Sequence, residues 1–139
     1  MNSPEISISF CKLAIAQCVA TFLAAVLWAG GVFLGGFEMQ ILLAGIAESG
    51  VLLVVSLGVL TLFNPSKLRP VATAATMWSG TSFVRFIVAL LCSSLLYYVA
   101  QFGLHPLMLS FLLTAVFLLV AETKALSSMF LKISSQTNE

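Results

Sequence analysis

Glu48 is a carboxylic acid set within the apolar run 41–63, which contains no Lys, Arg or His. If that run crosses a bilayer, an isolated charge within it costs several kcal/mol, so the side chain needs a partner, a proton or water. Counting helical rise inward from the turn at 37–40 puts Glu48 roughly 12–15 Å deep, near the midplane. The same count from the neighbouring turns brings Trp28, Ser93, Ser94 and Thr114 to similar depth. We expect a carboxyl kept neutral and hydrogen-bonded in this small polar layer. It would serve either as cohesion between helices or as a binder of a cation, a proton or another protein's intramembrane carboxyl.

Arg85 and Glu122 form a second constellation. Both lie about equally far from the turn 103–106, so a pair of helices joined there brings them together as an ion pair at the cytoplasmic end. Alternatively, Arg85 snorkels to anionic lipid or engages a partner's acid. Catalytic chemistry has little to work with. His105 stands alone in a turn without a nearby nucleophile, and the chain lacks GxSxG, HExxH and a glycine-rich phosphate cradle. We therefore expect no enzyme activity, no cofactor and no metal site. Cys11, Cys18 and Cys92, an odd count without CxxC spacing, read as small apolar residues.

The elements that must hold these groups follow from composition. Of 139 residues, 60% are hydrophobic and 8% charged, and the mean hydropathy is +1.12. That is too little polar surface for a water-soluble globule, and a net charge of +1 gives no reason to expect a nucleic-acid partner. The lipid bilayer is the expected surrounding. Four apolar runs, at about 13–34, 41–63, 78–101 and 107–123, are each long enough to span it. Lys12, Lys67, Arg69, Arg85, Lys124 and Lys132 fall in or beside alternate gaps, while the gaps 35–40 and 102–106 hold no Lys or Arg. Because Lys and Arg are retained on the cytoplasmic side, both termini are expected there. The fold class is an all-α membrane protein, a four-transmembrane-helix bundle of two antiparallel hairpins. It forms a single membrane domain with a cytoplasmic tail at 125–139, helical through Ile133 and then polar and disordered. The first run is longer than a secretory h-region and reads as a retained span.

Within span one, Gln17, Thr21, Ala24, Trp28, Gly31 and Gly35 recur at helical spacing and make a small, polar stripe expected to face the bundle. Gly31 and Gly35 form a GxxxG pair, which serves either close packing within the chain or a seam between copies in a homo-oligomer. Gly45, Glu48, Ser49 and Ser56 mark the inward face of span two. Pro70 suits the first position of the third helix, whose overlong start carries Trp78 at the interface. The buried part of that span is about 83–101, and Ser110, Thr114 and Glu122 share one half of the wheel of span four.

This layout resembles the ATP synthase protein I family, small four-span proteins associated with the bacterial F-type ATP synthase. The resemblance rests on two spans, a basic turn, then Gly80, Thr81, Ser82, Phe83, Val84, Arg85 and Phe86 leading into span three. It continues through a short turn with Pro106 into Leu107, Met108, Leu109, Ser110, Phe111, Leu112 and Leu113. It implies a place in the bacterial inner membrane and an accessory role, assisting assembly of the rotor ring of c subunits by helix-to-helix contacts. Arg85 matches the family's basic position at the start of span three and Gly80 the small residue before it. Glu48 departs from the pattern, which has small residues, Pro or Asn there. The rival reading is a small proton- or cation-coupled transporter or channel using Glu48. Small multidrug transporters are similar in span number, but they place their coupling acid in the first span, where this chain has Gln17.

Overall fold

The computed structural model describes residues 5–137, and four helices in it are long and apolar enough to cross a membrane. Helix α1 is Phe10–Gly35, α2 Met39–Phe63, α3 Val71–Ala100 and α4 Leu104–Thr137. Ser9 starts α1, its hydroxyl accepting from the Lys12 backbone N–H at 3.4 Å. Gly36, at φ 63°, ends it, in a conformation that glycine adopts without Cβ strain. Asn64 (φ 48°) and Gln101 (φ 54°) end α2 and α3 in the same left-handed region.

Helix α1 packs along α2 and α4, and α2 along α4. One apolar cluster joins Ala20, Leu52, Ala89, Phe111 and Leu118, drawing on every helix. A second gathers Ile8, Leu13 and Leu60, with Phe10, Trp78, Leu126 and Met129 against them. Helix α3 is the outlier: only Ala74 and Ala89 of its residues are buried, and it leans on α2 while meeting α4 at few points. The Phe86 and Phe111 rings make one such point, edge to face at 5.7 Å. Large apolar side chains such as Phe22, Leu34, Phe83 and Leu91 are exposed, as lipid-facing positions are.

Several boundaries differ from the sequence reading. Helix α4 begins at Leu104, so His105 and Pro106 lie in its first turn, where the N–H that proline lacks would have no helical partner. At its other end α4 runs unbroken to Thr137. The expected disorder after Ile133 is therefore not seen through 137, and 138–139 lie outside the described residues. Leu126 and Met129 explain part of that continuity, since they pack against the Leu13 and Leu60 cluster. Pro70 is the N-cap of α3, one position before its first turn.

Sequence periodicity gave no sign of a two-residue strand pair, β1 (Glu5–Ile6) and β2 (Arg69–Pro70). The strands run antiparallel, with Glu5 opposite Pro70 and Ile6 opposite Arg69. The pair and a bond from the Ile8 N–H to the Pro65 carbonyl (2.9 Å) tie residues 5–8 to the α2–α3 turn. Arg69 is held there too, donating to the Phe63 carbonyl at 3.1 Å with its guanidinium over the Phe63 ring.

Candidate functional site: two polar layers inside the bundle

The buried stripe of α1, Leu13, Gln17, Ala20, Thr21 and Ala24, points Gln17 at α4. The buried stripe of α4, Leu107, Ser110, Phe111, Thr114, Leu118 and Glu122, returns the contact. Gln17 Nε2 donates to Glu122 Oε1 at 2.8 Å. Arg85 of α3 grips the same carboxylate with both nitrogens, Nη1 to Oε1 and Nη2 to Oε2, the latter at 2.8 Å. The side chain of Glu122 is 2% exposed and that of Arg85 13%. Such a fork-on-carboxylate contact satisfies charge and direction together. Removing one member strands a buried charge, at a cost of about 3–5 kcal/mol.

Two helical turns away lies the Glu48 layer. Ser93 Oγ donates to Glu48 Oε1, linking α3 to α2. Ser49 and Thr114 share a hydrogen bond at 3.2 Å, linking α2 to α4. Among the described residues three buried side-chain atoms have no partner: Glu48 Oε2, Gln17 Oε1 and Ser56 Oγ.

Two members expected in the Glu48 layer are not in it. The Trp28 indole N–H donates to the Ile41 carbonyl at 3.0 Å, with the indole packed against Gly45 rather than turned to the carboxyl. A Cβ on Gly45 would fall 1.8 Å from Trp28 Nε1, so the missing side chain makes the room. Ser94 is exposed and bonds back to the Leu90 carbonyl at 2.9 Å, since one step from Ser93 turns it about 100° around α3. Within the chain, Gly31 and Gly35 bring no helix close. Gly31 is exposed with nothing within 4 Å of where a Cβ would be, and Gly35 meets only Phe37 of the adjoining turn. Trp28 fills the gap one turn earlier, and beyond it α1 borders a groove with Phe37, Ile41 and Pro106.

The layers share a register. Ser93 and Arg85 on α3, Thr114 and Glu122 on α4, and Glu48 and Ser56 on α2 are each eight residues apart, about 12 Å along a helix. Midway on each helix sits an apolar residue, Ala89, Leu118 and Leu52, and all three belong to the cluster completed by Ala20 and Phe111. That apolar septum separates the two carboxyl groups. Cohesion between helices within each layer is therefore well served, whereas among the described residues no side-chain-to-side-chain hydrogen bond joins one layer to the other.

The Glu48 layer borders a groove of about 570 Å³ between α3 and α4, whose walls include Phe86, Ser93, Tyr97, Leu107, Met108 and Phe111. It exists because α3 stands away from α4 on this side of the Phe86 and Phe111 contact. Among the described residues no cluster of His, Cys, Asp and Glu has the makings of a metal site. No family model, curated protein or solved structure matches the chain.

Proposed function

We propose that this chain is a non-catalytic accessory protein of the membrane sector of the bacterial F-type ATP synthase, assisting assembly of the c-subunit ring through intramembrane helix contacts. The observation that carries this reading is the loose seat of α3. With two buried residues and polar ties at Arg85 and Ser93, it leaves an apolar groove against α4 edged by the Ser93 hydroxyl. A guest helix carrying its own carboxyl would find there both apolar surface and a hydrogen-bonding group, which lipid does not offer. The resemblance in layout to ATP synthase protein I, with Gly80 and Arg85 in place, supplies the partner.

In this reading the helices form two antiparallel hairpins in the bacterial inner membrane, with both termini in the cytoplasm. The contacts of Leu13 with Leu60 and of Trp28 with Gly45 support the first hairpin, and the bias of Lys and Arg supports the orientation. Co-purification after mild solubilisation tests the proposal: c subunit or the intact enzyme should accompany the tagged chain, and absence of both refutes it.

A second reading, proton- or cation-coupled transport through Glu48, draws on the unpartnered Glu48 Oε2. The apolar septum of Leu52, Ala89 and Leu118 weighs against it, because a transported ion would cross that layer without ligands. A flux in proteoliposomes that Glu48→Gln abolishes would favour transport over assembly.

A further inference from the structure

A different groove, of about 650 Å³, runs between α1 and α4, and its lining changes character along its length. At one end stand Lys12, Lys124 and Ser128, while the rest is apolar, with Ile15, Val19, Leu23 and Val116 among its residues. From Lys12 to Leu23 the helix rises about 16 Å. That matches one leaflet, half of a hydrocarbon core about 30 Å thick. Both lysines are exposed, and the one ion pair among the described residues is that of Arg85 with Glu122. The acid nearest Lys124 in sequence, Glu122, is thus already committed. The α3–α4 groove beside Ser93 has no cationic residue in its wall, and the one beside Trp28 has only His105.

We propose that the α1–α4 groove is a binding site for an anionic phospholipid, its phosphate held by Lys12 and Lys124 and one acyl chain laid along Ile15, Val19, Leu23 and Val116. Lysine stems cover apolar surface while their ammonium groups reach the headgroup level, so two from different helices converge on one phosphate. A zwitterionic lipid brings the same chains, but its own ammonium competes for that phosphate. Charge and length together select the occupant.

Native mass spectrometry of the full chain, purified in detergent and stripped of lipid, reads this directly with phosphatidylglycerol and phosphatidylcholine as probes. The wild type should hold phosphatidylglycerol in preference, and Lys12→Gln and Lys124→Gln should each weaken it about fivefold. Lys67→Gln, the same single charge change in the α2–α3 turn outside the groove, should leave retention intact. Ala16→Phe, which fills the groove and keeps both lysines, should also lose the lipid, so the test survives if a lysine variant folds poorly. Equal retention of the two lipids overturns the proposal, as does equal loss in the Lys67 variant. Displacement of phosphatidylglycerol by millimolar inorganic phosphate would show a plain phosphate site and overturn the lipid assignment.

Discussion

The Ser93 hydroxyl donates to one oxygen of Glu48, while the other oxygen, also buried, has no partner among the described residues. A single hydrogen bond thus joins α3 to the most buried acid of α2, on a helix with few other attachments. Two side-chain polar ties hold the α3 helix, here and at Glu122, about 12 Å apart.

Ser93→Ala removes one of those ties and leaves both Glu48 oxygens buried without a donor. Stability in mixed detergent and SDS micelles should fall by about 1–3 kcal/mol, whereas Glu48→Gln, whose carbonyl still accepts from Ser93, should cost less. Unfolding curves for the two variants check the order, and a larger loss for Glu48→Gln contradicts it.

Arg85 and Glu122 should be strongly coupled. Each alanine variant is expected to lose about 3–5 kcal/mol, because each leaves the other charge buried and unpaired. The double variant should lose much less than the sum of the two, by a coupling of about 0.5–3 kcal/mol. Additive losses would mean that the pair contributes nothing. Arg85→Lys should not restore full stability, since an ammonium cannot grip both oxygens as the fork does.

At the other end of the bundle the prediction concerns size rather than charge. Gly45→Ala sets a methyl into the Trp28 ring and should destabilise by about 1–3 kcal/mol. Gly31→Ala, where nothing lies within 4 Å, should leave unfolding within about 0.5 kcal/mol of wild type. The comparison of the two melting curves also separates a packing glycine on α2 from an exposed one on α1.

What could be read from the sequence depended on how local the cause was. The four helices follow from apolar length, and Arg85 with Glu122 from counting residues back from one shared turn. Gln17 was legible as an inward residue, but its partner was not. Bonding to Glu122 requires α1 to lie against α4, and periodicity says nothing about which helices are neighbours. The choice of Ser93 over Ser94 depends on the rotation of α3 about its axis, which a helix with only Ala74 and Ala89 buried scarcely encodes. Trp28 was expected in the Glu48 layer, but it packs on Gly45, three residues before Glu48, and gives its N–H to the Ile41 carbonyl. The β1–β2 pair is too short to carry any period, and its register comes from the α2–α3 turn it joins.

The most direct test of the assembly role is a photo-crosslinker introduced at Tyr98, an exposed residue on the wall of the α3–α4 groove, in cells making the complete ATP synthase. The account predicts a crosslinked product containing c subunit, and none from the same probe at Phe22, exposed on α1 away from that groove. Equal crosslinking at both positions, or adducts with lipid alone, would contradict it.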